Sequence, residues 1–367
     1  MMIIGVLKCT EENLVAIVPK VVSKYTKGGF EILVERGAGE ASHYTDDEYE
    51  EVGAKVAPRA EILAQSGILL TVTSIGLDEL KLVKKGAMIV GKFNGRVESD
   101  LLTALKSADA HAFSLDLLPR STIAQSMDVL SSLASLSGYK AVLLGADNFG
   151  GYFPMMTTSA GTIPPAKVLI IGAGVAGLQA IATAKRLGAV VEVFDVRSAV
   201  KEEVESLGAK FVEVEGAQES AAAGGYAIQQ TEEYIEKQKT LIHQTAAKAD
   251  VVITTANIPG RKAPLLIEER TVNAMKPGSV IIDMATASGG NVALSKDNAT
   301  VEVNGVKIIG DTKLYNHMGS QSSFVYSNNI YNFLNFLLKE GIENIPYENE
   351  IVTNTLLKVE KEETVSA

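Results

Sequence analysis

The stretch Lys167-Val168-Leu169-Ile170-Ile171-Gly172-Ala173-Gly174-Val175-Ala176-Gly177 decides the fold class. Its apolar run has no polar face, which fits a strand covered on both sides, as in a parallel sheet. Glycines follow at the G-x-G-x-x-G spacing, and a helical pattern opens at once, from Val175 to Leu187. A second apolar run, Val190 to Phe194, ends at Asp195. Strand, glycine turn, helix, strand and an acid about 20 residues past the glycines form the dinucleotide-binding fingerprint.

Each part has a physical task. Gly172 permits the tight turn, Gly174 lets the backbone approach a diphosphate, and Gly177 lets the helix pack close to the strand. Val175 and Ala176 lie at the helix start, where unpaired N–H groups and the helix dipole attract phosphate. Asp195 is expected to accept hydrogen bonds from the adenosine ribose and to repel a 2′-phosphate, which selects NAD(H) over NADP(H). Arg197 close by works against that selection. Val196 and Arg197 beside the acid, and Ala256 after the apolar run Val251–Thr254, complete this side of the cofactor-binding set. A packed βα turn without a ligand would use the same glycines, but the surrounding context favours the binding site.

Outward from this stretch, strands and helices alternate. Strand patterns fall at Ile3–Leu7, Phe30–Glu35, Ile68–Thr73, Ala87–Val90 and Ala112–Leu117 on one side. On the other they fall at Phe211–Val214, Val251–Thr254 and Val280–Asp283. Pro19–Lys27 reads as a helix with Pro at its first position and Gly28 past its end. Thr45 and Glu48 fit a capping box. From Ser121 the pattern is helical for about 25 residues. Gly150 to Pro165 reads as a loop, and Asn304-Gly305 as a two-residue hairpin turn. Tyr326–Lys339 reads as a last helix that returns to the first domain. The expected fold is α/β: two Rossmann-like βαβ domains with parallel sheets, separated by a cleft. The expected boundaries are 1–130 with 312–367 for a discontinuous N-terminal domain, and 131–311 for the NAD(H)-binding domain. The polar, glycine-containing stretch from Glu215 to Thr231 is long for a βα connection, so it is either mobile or functional.

Composition excludes several classes. The 367 residues carry a formal charge of −10 and form no basic block, which argues against nucleic acid as a partner. One cysteine, Cys9, allows no disulfide framework within the chain. The N-terminus lacks the pattern of a signal peptide, and no run of about 18 apolar residues is expected to span a bilayer. Any membrane association would then come through partners. The four histidines are scattered, so no metal site is expected.

Longer strings point to a family. Gly174 to Ala189, Pro119-Arg120 through Gln125-Ser126-Met127-Asp128 to Ser131-Ser132, Phe153-Pro154-Met155-Met156, Ala223-Gly224-Gly225-Tyr226 and Met275 to Asp283 resemble the proton-translocating nicotinamide nucleotide transhydrogenase family, in its NAD(H)-binding component. The close resemblance runs from about Leu115 to Gly290. It implies a chain that binds NAD(H) and works with a membrane-spanning proton-translocating subunit and an NADP(H)-binding domain on a partner. It further implies a homodimer, held at the cytoplasmic face of the membrane through those partners. Hydride would pass directly between the two nicotinamides. The family's nicotinamide-contacting loop falls on Arg120, Gln125 and Asp128, with Ser131 following, and its mobile loop on Gly225 and Tyr226.

The residue types suit that role. Arg120 can hold a phosphate oxygen or a carboxamide, and Gln125 and Ser131 offer neutral hydrogen bonds. Asp128 can accept from Arg120 or a ribose hydroxyl. Three-residue steps would set Gln125, Asp128 and Ser131 near one helix face, although an ordinary polar helix surface reads alike. Alanine dehydrogenase resembles the chain more distantly and is the alternative, and a non-catalytic NAD-binding subunit is another. An amino-acid dehydrogenase needs a cation for the substrate carboxylate and a group to shuttle a proton. The matching positions hold Leu14, Thr71, the Lys92–Asn94 stretch and Ala287, which are read as lacking that chemistry.

Overall fold

Strands rich in Val, Ile and Leu bury both faces only if helices cover both sides of the sheet, and parallel βαβ units do this. A computed structural model describes residues 2–94, 99–214, 231–257 and 261–357. The chain divides into two units, Met1–Leu133 with Asn316–Ala367, and Ala134–Tyr315.

The first unit runs β1 (Met2–Val6), α1 (Pro19–Lys27), β2 (Phe30–Glu35), α2 (Asp46–Glu51), β3 (Lys55–Ala57), α3 (Arg59–Gln65), β4 (Ile68–Leu70), β5 (Met88–Gly91), α4 (Ser99–Ser107) and β6 (His111–Ser114). Its six strands are parallel, in the order β3-β2-β1-β4-β5-β6. That is the doubly wound order, in which the chain reverses direction between β1 and β4. Leu7, Leu33, Ile62, Leu69 and Ile89 share its core. The capping box forms: Thr45 Oγ1 accepts from the Glu48 amide while Glu48 accepts from the Thr45 amide.

The unit boundary falls inside α5 (Val129–Asn148). The second unit continues with β7 (Met156–Thr158), β8 (Gly161–Ile163), β9 (Lys167–Ile171), α6 (Val175–Arg186), β10 (Val190–Phe194), α7 (Lys201–Ser206), β11 (Lys210–Phe211), α8 (Glu232–Ala246), β12 (Val251–Thr254), α9 (Glu269–Ala274), β13 (Val280–Asp283), β14 (Ala299–Val303) and β15 (Val306–Gly310). Its main sheet is ordered β11-β10-β9-β12-β13-β15-β14 and is parallel except for β14. Side chains alternate faces along β9, as a strand requires. Val168 and Ile170 join Ala141, Val142 and Ile181, whereas Leu169 and Ile171 join Ile242, Val252 and Ile281. Asn304 (φ 51°) and Gly305 (φ 77°) both lie in the left-handed region between β14 and β15, as a type I′ hairpin demands. Helices α10 (Gly319–Leu337) and α11 (Glu350–Thr355) complete the first unit.

Four expectations need correction. The continuous helix from Ser121 is broken: a 3-10 turn at Ala124–Met127 ends at Asp128, whose backbone is extended, and α5 starts at Val129. The Gly150–Pro165 loop contains the antiparallel β7–β8 hairpin. Helix α10 starts at Gly319 rather than Tyr326, because its first turns bury Ser322 and Ser323, which an apolar period does not register. One described helix, α5, is long and apolar enough to cross a membrane by length and composition. Its Ala141 and Val142 are core residues of the second unit.

Candidate functional site

The glycine turn sits in the second unit where the sheet changes winding direction, between β9 and β12, and ligands of such sheets bind outside the strands' carboxyl ends. Gly172 adopts φ +102°, and a Cβ there would lie 2.5 Å from the Thr255 hydroxyl. A Cβ on Gly177 would lie 1.8 Å from the Gly172 carbonyl oxygen, so the first turn of α6 rests directly on the turn before it. Gly138 of α5 makes the matching approach from another side, its would-be Cβ 2.0 Å from the Ala176 carbonyl oxygen. Gly174 differs, with nothing within 4 Å of a Cβ built there. No side chain caps α6. Its first amides, with Val175 exposed beside them, face open space. A diphosphate fits this arrangement, because two backbone contacts fix the donors and the approach is clear.

Asp195, at the end of β10, has 6% of its side chain exposed. It accepts the Ala173 amide (2.7 Å), the Arg197 amide (2.9 Å), Arg197 Nε (2.9 Å) and Arg197 Nη2 (2.8 Å). A carboxylate offers about four acceptor positions. All are taken, so Asp195 does not wait free for a ribose, and a hydroxyl must share with or displace the guanidinium. Hydrogen bonding to Asp195 pushes the Arg197 pKa above its ordinary value, against the opposing effect of burial. Val196, half-buried, lies between the two.

The opposite wall was not evident from the sequence. Thr255, just past β12, donates its hydroxyl to the Gly172 carbonyl at 3.0 Å. The fully buried Asn291 takes the Ala256 amide on Oδ1 (3.1 Å) and donates Nδ2 to the carbonyls of Ala256 (2.9 Å) and Pro264 (2.8 Å). Ala256 therefore presents a methyl surface, since Asn291 occupies both its backbone polar groups. Asn291 hangs from Asp283, also fully buried, whose carboxylate accepts the Asn291, Val292 and Ala285 amides and the Thr254 and Ser295 hydroxyls. The available signal was an acid closing the apolar run Val280–Ile282, followed by Gly289-Gly290-Asn291.

In the first unit, Arg120 and Gln125 are exposed and Asp128 and Ser131 half-buried. They do not share one helix face, because Gln125 lies in the 3-10 turn and Ser131 in α5, with the break between them. Asp128 Oδ1 accepts the Ser131 amide (2.9 Å) and Oδ2 the Ser131 hydroxyl (2.6 Å), which makes Asp128 the N-cap of α5. Asp128→Ala should lower unfolding stability by about 1 kcal/mol. An unchanged denaturation midpoint would show that the cap contributes nothing. Gly225 and Tyr226 lie outside the described residues.

The dehydrogenase positions are not all inert. Leu14 and Thr71 are buried and uncharged, and Thr71 donates its hydroxyl to the Thr73 carbonyl at 2.7 Å. Lys92, however, is a cation, which corrects the reading of the Lys92–Asn94 stretch. Its ammonium donates to both oxygens of Glu12, at 2.9 and 3.1 Å, with 7% and 3% of the two side chains exposed. A buried pair of this kind is costly to separate. Among the described residues, no group of three or more His, Cys, Asp or Glu side chains could hold a metal ion.

Comparison with known proteins gives two family matches: residues 8–137 to "Alanine dehydrogenase/PNT, N-terminal domain", and residues 141–365 to "Alanine dehydrogenase/PNT, C-terminal domain". The chain is 44% identical over 363 residues to an NAD(P) transhydrogenase subunit alpha chain of Rhodospirillum rubrum, covering 97% of this chain and 92% of that one. It superposes on the crystal structure of transhydrogenase from Sinorhizobium meliloti with a TM-score of 0.88 and 40% identity, covering 97% and 98% of the two chains. Alanine dehydrogenase of Methanococcus maripaludis is more distant, 26% identical over 95% of this chain and 90% of that one.

Proposed function

Because this chain belongs to the alanine dehydrogenase/PNT family, and its relatives at 40–44% identity are transhydrogenase alpha subunits, we propose that it is the NAD(H)-binding subunit of a proton-translocating transhydrogenase. The observation that carries this reading is the uncapped start of α6, open at Gly174 and held from two sides at Gly138 and Gly177. The α6 amides bind the diphosphate, Asp195 and Arg197 meet the adenosine ribose, and Ala256 forms a wall. Arg120 and Gln125 contact the nicotinamide end, with Asp128 and Ser131 holding the segment between the 3-10 turn and α5. NAD(H) supplies the hydride chemistry. The chain's own task is to bind it, orient it and exclude water. Direct transfer requires the two nicotinamide C4 atoms about 3–3.5 Å apart, in a site closed to solvent.

Such a transfer consumes no substrate proton, so no acid–base residue is needed. The Lys92–Glu12 pair weighs against the dehydrogenase alternative, because the ammonium is already engaged by a carboxylate. NADP(H) sits on a partner, a membrane-spanning subunit couples the transfer to proton movement, and the chain docks as a homodimer at the cytoplasmic face. Two measurements test this. Calorimetric titration should give at least about tenfold tighter binding of NADH than of NADPH, the cost of placing a 2′-phosphate beside Asp195. Adding the chain to membranes that hold the partner subunits should restore hydride transfer from NADPH to an NAD analogue. Equal affinities, or alanine turnover by the chain alone, would defeat the reading.

A further inference from the structure

Helix α10 carries a stripe of buried polar side chains in the first unit. Ser322, Ser323, Tyr326, Ser327 and Asn329 are each less than a tenth exposed. These groups hold loops that follow strands. Ser323 Oγ accepts the Val15 amide (3.0 Å) and Ser327 Oγ the Val18 amide (3.2 Å), both beyond β1. Tyr326 donates its hydroxyl to the Thr71 carbonyl, beyond β4, at 3.0 Å. One turn further, Asn329 and Asn332 both donate Nδ2 to a single acceptor, the Ser126 carbonyl oxygen, each at 2.9 Å.

Ser126 lies between Gln125 and Asp128, within the 3-10 turn that follows Arg120. A carbonyl has two lone pairs, and here two amides fill both. Asn329 Oδ1 is buried and accepts no hydrogen bond. A side chain present only to fill space would not leave a buried acceptor unmet, because that costs free energy. The donor side must therefore be the reason for an asparagine at this position.

We propose that Asn329 and Asn332 are positioning residues that clamp the Ser126 carbonyl and thereby fix the Arg120–Asp128 segment for the nicotinamide of NAD(H). This rests on the reading of that segment as the nicotinamide loop. Neither asparagine touches the cofactor. Both act through the backbone that carries Arg120 and Gln125. Their loss should therefore weaken recognition of the nicotinamide end and leave the adenosine end alone.

The experiment is calorimetric titration of the whole chain with NADH and, separately, with ADP-ribose, which lacks the nicotinamide. Asn332→Ala, at the half-buried position, should weaken NADH about fivefold, the effect of one lost hydrogen bond, with ADP-ribose affinity unchanged. Asn332→Gln, which retains an amide donor, should recover some of the loss. Asn329→Asp, which replaces the donor by an acceptor, should match or exceed the effect. A purely structural role would lower both affinities together or neither, and either result overturns the clamp. Arg120→Ala separates the two ideas. If it lowers the NADH to ADP-ribose affinity ratio while the asparagine variants do not, the clamp alone is wrong. If Arg120→Ala also leaves the ratio unchanged, the nicotinamide-loop reading falls and the clamp with it.

Discussion

Gly177→Ala is expected to weaken NADH binding by roughly 100-fold, as measured by calorimetry or by the fluorescence of bound NADH. The single added carbon would stand 1.8 Å from the Gly172 carbonyl oxygen, a backbone atom that no rotamer change can move. Relief requires α6 to back away from the turn. Gly138 already packs against the Ala176 carbonyl from α5, so the displacement cannot be local. Overpacking of this kind costs about 1–3 kcal/mol, and the helix amides lose their aim at the diphosphate. Gly174→Ala provides the internal contrast, since its new carbon meets nothing within 4 Å in the protein and would clash only with a bound ligand. Equal and small effects at both positions would mean that the diphosphate lies elsewhere.

Most of the fold was legible because its information is local and periodic. Pro19, Gly28 and the Thr45–Glu48 box mark helix ends by their own chemistry, and the structure has α1 and α2 there. The apolar runs of β9, β10, β12 and β13 fall at the expected positions. What stayed hidden depends on partners distant in sequence. The sequence shows Asp128 as a candidate ligand, but only the broken helix reveals it as a cap. It shows Asp195 as a ribose acceptor, but not that Arg197 folds back onto it. It shows Lys92 without Glu12, which lies 80 positions away. The β7–β8 hairpin was missed because its strands are short, polar and exposed, so no hydrophobic alternation marks them.

Asp283→Ala should lower the stability of the second unit by about 4 kcal/mol, the loss expected when buried donors are left without their charged acceptor. Three amides and two hydroxyls converge on this carboxylate. Water cannot replace it, because both Asp283 and Asn291 are fully buried. The Asn291 amide would then no longer hold Ala256, so NADH affinity should fall with stability. Denaturant unfolding of the purified variant provides the check, with Asp283→Asn expected to lie between it and the native chain. A native-like midpoint for Asp283→Ala would show that the network is incidental.

The first unit is assembled from both ends of the chain, and this has a consequence for its biogenesis. When residue 133 has left the ribosome, the β1–β6 sheet segment is complete, but the serine, tyrosine and asparagine anchors of α10 have not been made. At about 5–20 residues per second, translation takes on the order of ten seconds or more to supply them. During that interval the Val15 and Val18 amides and the Thr71 carbonyl have no mates. The later-synthesised half, Ala134–Tyr315, is contiguous and can close on itself as soon as it emerges. The order of maturation in the cell is thus the reverse of the order of synthesis, and the nascent amino-terminal sheet is the stage at which a chaperone would be needed.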